Sequence, residues 1–339
     1  MIHTMDVAPP PAGFRFAPAA LIANIPALPC DVFIQNGGRA VLFAGAGAEA
    51  EAISRRLNLG VPILIRQEDE DLLASALVAA IPGVLRSYRM GADARSRIAY
   101  GLATASLRPL LSYGARPDES DLLLSHDVVD AISEALAGDE SLVGAMVAVM
   151  EQHPATYIQA INTAVYSVLL ARRLGITHGE ALRAVGRGAL LHDIGKVRVP
   201  TQILDKPGPL DDREWGIVQQ HPAAGQTLVL AALGTEPTYL HIIRDHHERS
   251  DGSGYPTGRS AHSLPFDSQL VAITDAFVAL TSVRSYQQPT SAADALRTMR
   301  FVQKGQFNDE IMREFIALLA GWHDIRRHEL GALLSLLGR

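Results

Sequence analysis

The sequence predicts a mainly α protein: an all-α helical bundle preceded by a small α/β N-terminal domain. Three observations carry this reading. Strand-like runs are confined to the chain before Gln67. From Leu85 onward, apolar residues recur at helical spacing. Between Leu191 and Pro256, three histidine-bearing clusters stand at or near the ends of predicted helices, which suits a site assembled from helix ends.

The lead-in, residues 1–14, contains Pro9-Pro10-Pro11 and is expected to be flexible. The α/β domain, residues 15–84, begins with two strand-like runs, Asp31 to Gln35 and Ala40 to Ala44, joined by a turn at Asn36-Gly37-Gly38. A helix is expected over Ala48 to Leu57, a third strand over Val61 to Arg66, and a second helix over Asp71 to Ala80, closed by Pro82-Gly83. Gly45-Ala46-Gly47 follows a strand and precedes Glu68 by about twenty residues, the spacing of a dinucleotide fingerprint. The unit ends after one crossover, too short for a doubly wound domain, so a plain glycine turn is the favoured reading.

Residues 85–138 read as a helical connector, with helices over Ala94 to Leu111 and Leu122 to Leu136. His126 and His153 lie nearby and are expected to pack or face solvent. The bundle fills residues 139–339. Ile158 to Leu174 is a long amphipathic helix ended by Gly175. Glu180 to Ile194 follows, with Gly195 as its C-terminal stop. Asp211 starts a helix with Glu214 at the capping-box position, and His221-Pro222 marks its end. Pro237 starts the helix that delivers His246 and His247. A glycine-rich loop, Arg249 to Leu264, precedes helices over Asp267 to Ser282, Ser291 to Val302 and Asp309 to Leu319.

Composition narrows the function. Thirty basic against 36 acidic residues give a net charge of −6, so the chain lacks the footprint of a nucleic-acid polymer binder. Cys30 is the sole cysteine, which excludes an internal disulfide. The N-terminus does not read as a signal peptide, and no apolar run approaches the ~18 residues of a membrane span. The expectation is a soluble cytoplasmic protein.

The chemistry concentrates in His192-Asp193-Ile194-Gly195-Lys196, His221-Pro222 and His246-His247-Glu248-Arg249. Imidazole with carboxylate suits iron, manganese, zinc or nickel. Such a centre makes hydroxide at neutral pH and clamps a phosphate for in-line attack. Asp275, between Ile273 and Phe277 on an apolar helix, needs a partner, and a metal is the simplest. Lysine is scarce, and two of the three lysines, Lys196 and Lys206, lie in or near this stretch, where an ammonium suits a phosphate.

The order HDIGK, then HP, then HHERSDGSGYP resembles the HD-GYP domain, a branch of the HD superfamily, over roughly Glu151 to Phe315. That resemblance implies a bacterial cyclic di-GMP phosphodiesterase yielding linear pGpG and then GMP. It implies two divalent metal ions, iron or manganese ahead of zinc or nickel, held by His192, Asp193, His221, His246, His247 and Asp275, with Asp193 as the bridge. Asp193 and Lys196 would carry catalysis. Lys196, Arg284, Lys206 and Tyr255 would face the substrate. The loop Gly252, Gly254, Tyr255 and Pro256 would meet diguanylate cyclase partners, and a homodimer is a further expected partner. His323-Asp324 lacks the following Gly-Lys and reads as a solvated turn.

The departures from the family pattern matter. Gln159 stands where relatives carry a histidine ligand, and Ala155 where some carry a third-metal glutamate. Val278 stands where relatives often have Asp or Lys. Two rival readings follow: a catalytically weak or inactive domain that binds cyclic di-GMP or a cyclase, and another HD-superfamily nucleotide phosphohydrolase.

Overall fold

The computed structural model describes residues 9–17, 22, 24–49, 63–87, 89–107, 110, 115–152, 156–282 and 290–320. Most of the expected helix Ala48 to Leu57, together with His153, Ala155, Arg284 and His323-Asp324, lies outside them. The chain divides into two compact units, Met1–Leu107 and Arg108–Arg339.

The first unit is built on four strands, β1 (Phe14–Ala17), β2 (Val32–Asn36), β3 (Arg39–Ala44) and β4 (Ile63–Arg66), in the order β1-β4-β2-β3. Every neighbouring pair is antiparallel. β1 was not expected from the sequence, where Phe14 closes the lead-in. It forms because Phe14 to Ala17 pair with Ile63 to Arg66, a partner far along the chain. The β2–β3 hairpin turns at Gly37 and Gly38, whose φ values of 56° and 78° are what a two-residue I′ turn requires.

The glycine turn after β3 is not a phosphate cradle. The Ala46 N–H donates to Asp31 Oδ1 at 3.1 Å, and the Gly47 N–H to Leu28 O at 2.8 Å. The amides that an anion would need are held by the chain's own oxygens, in an antiparallel sheet.

Two helices, α1 (Glu70–Leu85) and α2 (Ala92–Leu107), pack together in this unit. α1 buries Leu73, Leu77, Ile81 and Val84 along one stripe. It was expected to close at Pro82-Gly83, yet it runs through Pro82 to Leu85. An interior proline costs about 3 kcal/mol. Burying Val84 and Leu85 offsets that, at roughly 1.5–3 kcal/mol each.

The second unit contains α3 (Glu119–Gly138), α4 (Glu140–Gln152), α5 (Thr156–Arg173), α6 (Gly179–Leu191), α7 (Asp212–Val218), α8 (His221–Leu233), α9 (Leu240–Asp245), α10 (Phe266–Thr281), α11 (Ala292–Arg297) and α12 (Asp309–Ala320). Asp118 and Asp211 each close a capping box, the latter with Glu214 as expected. Tyr166, Phe277 and Phe315 meet edge to face at 5.2–6.0 Å and tie α5, α10 and α12 together. A buried hydrogen bond, Ser167 to Thr274 at 2.6 Å, also joins α5 to α10. His126 is a packing histidine, with Nε2 2.8 Å from the Tyr239 hydroxyl.

Gly195 is not the expected C-terminal stop. α6 ends at Leu191, and Gly195 lies inside a 3-10 helix, Ile194–Arg198, without a positive φ. Its lack of a side chain serves close packing instead. A Cβ there would lie 1.9 Å from the His221 carbonyl oxygen and 2.5 Å from Gly225 N. The 3-10 turn therefore rests directly on the backbone of α8, and this brings His221 to the end of α6.

Candidate metal centre

Three of the histidines sit at helix boundaries. His192 caps α6, His221 opens α8 one turn beyond α7, and His246 caps α9. At such ends the last carbonyls lack helical partners. The imidazoles take them up: Nδ1 of His192 lies 2.7 Å from Ala189 O, that of His221 2.7 Å from Val218 O, and that of His246 2.9 Å from Ile243 O. A carbonyl only accepts, so each Nδ1 carries the proton. In the neutral rings the lone pair is then on Nε2.

Those Nε2 atoms converge. His221 Nε2 lies 3.2 Å from His246 Nε2 and 3.1 Å from Asp193 Oδ1. His246 Nε2 is 3.8 Å from the same oxygen. His192 Nε2 lies 3.3 Å from Asp193 Oδ2 and 3.4 Å from Asp275 Oδ1. Two overlapping donor sets result: Asp193, His221, His246 and His247, and His192, His246 and Asp275. The two oxygens of Asp193 face different histidines, as a bridging carboxylate must.

The charges call for a cation. Two neutral imidazoles aimed at each other through their lone pairs repel. Burial holds His246 and His247 well below the usual histidine range, and neighbouring histidines reinforce this. Burial also pushes His192 down, but Asp193 and then Asp275 outweigh it and bring it up to about 10, so this ring holds a proton on Nε2 that a divalent cation would displace. Burial would raise Asp275, yet the His192 contact holds it far below the usual carboxylate range. His192 Nε2 and Asp193 Oδ1 are both buried without a hydrogen-bond partner. Buried polar atoms of this kind need an explanation, and a divalent ion among nitrogen and carboxylate donors supplies it. The residues present fit the metals that the sequence implies.

A family model described as an HD domain matches residues 144–311, which include every one of these donors. Residues 144–311 belong to the HD-domain family. Within it, the run from His246 to Pro256 places the chain in the HD-GYP branch. The chain is 33% identical over 196 residues to the cyclic di-GMP phosphodiesterase PA4108 of Pseudomonas aeruginosa, spanning 58% of this chain and 47% of that protein. It is 35% identical to a cyclic di-GMP phosphodiesterase of Thermotoga maritima, over 42% of this chain and 39% of the relative. It is 38% identical to the 3'3'-cGAMP-specific phosphodiesterase 3 of Vibrio cholerae, over 43% of this chain and 31% of the relative. The chain thus spans less than half the length of these relatives. The fold matches Bd1817, an HDG"Y"P protein from Bdellovibrio bacteriovorus, with a TM-score of 0.65 at 16% identity, covering 90% of this chain and 99% of that one.

Around the donors, the HD domain places the other expected residues unevenly. Lys196 Nζ lies 2.6 Å from Asp193 Oδ2, at the margin of the cluster. Lys206 is instead paired with Glu214 at 2.5 Å. Gln159 is buried on α5, and Val278 is buried on α10. Tyr255 turns inward and stacks on His247 at 4.7 Å and 27°. Gly252 adopts φ 81°, whereas Gly254 is required by close approach: a Cβ would lie 2.4 Å from Arg249 N.

Two buried carboxylates give no sign of their role in the sequence. Asp245 is buried and held by Arg244 and by Arg259 Nη1 at 3.1 Å. Glu248 is also buried, and it accepts from Thr257 N, Thr257 Oγ1 and Arg259 N at 2.6–3.0 Å. Their one mark there is position, as two acids flanking the His-His pair. Among the described residues no helix is long and apolar enough to cross a membrane.

Proposed function

We propose that the chain is a phosphodiesterase that opens cyclic di-GMP to linear pGpG, using two divalent ions held by His192, Asp193, His221, His246, His247 and Asp275. The observation that carries this is the convergence of Nε2 lone pairs on a buried Asp193 oxygen that has no hydrogen-bond partner. When bound, divalent cations supply the charge that polarises a phosphoryl oxygen and acidifies water. The chain's part is preorganisation. Nδ1 of three imidazoles is tied to a carbonyl of its own turn, which leaves Nε2 as the atom that would meet an ion, and Asp193 spans both donor sets. The Lys196 ammonium, about a quarter exposed, is placed to turn from Asp193 to a phosphate oxygen and to stabilise charge as it develops. Iron or manganese suits this mix of imidazole and carboxylate.

Relatives named for cyclic di-GMP and for 3'3'-cGAMP both support a cyclic dinucleotide as substrate. The buried Gln159, in place of a family histidine, supports a second reading in which the domain binds the dinucleotide and signals without cleaving it. Anaerobic purification with metal analysis, followed by assays on both dinucleotides, separates the two. Hydrolysis with up to two metals per chain, one of them readily chelated, is expected. Three tightly held metals would refute the proposed centre. A fully loaded protein that cleaves neither dinucleotide would leave the binding reading standing.

A further inference from the structure

We infer that the loop from Arg249 to Arg259 is a clasp for the metal centre: Tyr255 fixes the ring plane of His247, and Glu248 fixes Tyr255. This rests on the reading of His247 as a metal ligand. His192, His221 and His246 are each locked by a hydrogen bond from Nδ1 to a carbonyl of their own turn. Among the described residues His247 has no such bond. What holds its ring is aromatic contact: Tyr255 alone stacks on it, at 4.7 Å and 27°, while His246 lies tilted at 4.1 Å and 44° and His221 meets it edge to face at 5.0 Å and 86°. Metal-bound histidines ordinarily have their other nitrogen fixed by an outer partner. Here an aromatic face takes that place for the fourth ring.

The loop is built to deliver that face. The Tyr255 N–H donates to His247 O at 3.2 Å, so the loop folds back on the residue it supports. Gly254 permits the fold, since a Cβ there would lie 2.5 Å from the same carbonyl. Glu248 is 1% exposed, and both its oxygens accept hydrogen bonds from Thr257 and Arg259 on the far limb. Arg259 is pinned in turn by the buried Asp245. Two acids flanking the His-His pair thus hold the far limb of the loop. Among the described residues the Tyr255 hydroxyl has no hydrogen-bond partner, so the contact that matters is the ring face.

The test is Co(II) titration of the metal-free full chain, read by cobalt absorbance and not by activity. Variants are Tyr255→Leu, Tyr255→Phe, Glu248→Gln, His247→Ala, and His247→Ala combined with Tyr255→Leu. Tyr255→Leu should weaken one Co(II) by roughly tenfold to a hundredfold, the scale of a lost outer partner. Tyr255→Phe should bind as the wild type does, and Glu248→Gln should fall between. In the His247→Ala background, Tyr255→Leu should add nothing, a result that general destabilisation would not give. Wild-type binding in Tyr255→Leu, a Phe variant as weak as Leu, or an undiminished penalty in the His247→Ala background would each overturn the clasp. If the wild type takes up no Co(II), the metal-centre reading falls and the clasp with it. Uptake by the wild type without the variant pattern defeats the clasp alone.

Discussion

Gly195→Ala tests whether the centre depends on backbone contact between two turns. The added Cβ would start 1.9 Å from His221 O, where ordinary contact begins at 3.4 Å, so about 1.5 Å must be found. Gly225 N at 2.5 Å blocks the neighbouring direction. Both obstacles are backbone, which cannot rotate away as a side chain would. Overpacking of this kind typically costs about 1–3 kcal/mol. In a domain of this size each kcal/mol shifts Tm by about 2–4 °C, which gives a loss of about 2–12 °C. Because the obstacle is the carbonyl of His221 itself, relief moves that ring away from Asp193 Oδ1, now 3.1 Å from its Nε2. Metal uptake should therefore fall along with Tm. Circular dichroism melting and metal analysis of the purified variant read both. Gly216→Ala is the control: on α7 a Cβ meets nothing within 4 Å, and the change should stabilise by about 0.5–1 kcal/mol. A Gly195→Ala protein with wild-type Tm and wild-type metal content would refute the reasoning.

Three further outcomes are expected. Asp193→Ala should lose most metal and all hydrolysis, because one carboxylate serves both donor sets; unchanged metal content would mean the site is misassigned. Gln159→His should raise metal occupancy and hydrolysis together, by roughly tenfold to a hundredfold, the scale of one supporting ligand; no change in either would show that this position does not serve the metals. His126 is held neutral by burial, then by Arg187, which lowers it from 6.5 to about 4. Its contribution is therefore complete above about pH 6.5 and is lost as pH falls toward 4, amounting to roughly 2–3 kcal/mol. Urea unfolding across that range should show the loss in the wild type and a flatter profile in His126→Gln.

Much of the second unit was legible because its signals are local. Helix periodicity, the Asp211 capping box and the glycine stop at Gly175 each act within a turn or two of chain. The gathering of the histidines was legible for a related reason: each stands at a helix end, where two neighbouring side chains can face one point. What escaped was set by distant partners. β1 depends on a strand nearly fifty residues away. Asp245 and Glu248 carry no local sign of burial, since burial of a carboxylate in a polar loop shows only once Arg259 and Thr257 fold back. The role of Gly195 is not legible locally, because a helix stop and a close approach both ask for glycine and only the backbone of α8 decides between them.

The three carbonyl-locked imidazoles bear on how such a centre tolerates loss. Each of those rings is aimed by its own turn of helix and not by a neighbouring ligand. Removing one donor therefore leaves those three pointing where they did. A centre wired this way would degrade one step at a time: where one ligand is lost, the remaining donors would keep their aim. His247, held by a loop and not by its own helical turn, is where such a scaffold would be retuned without rebuilding the bundle.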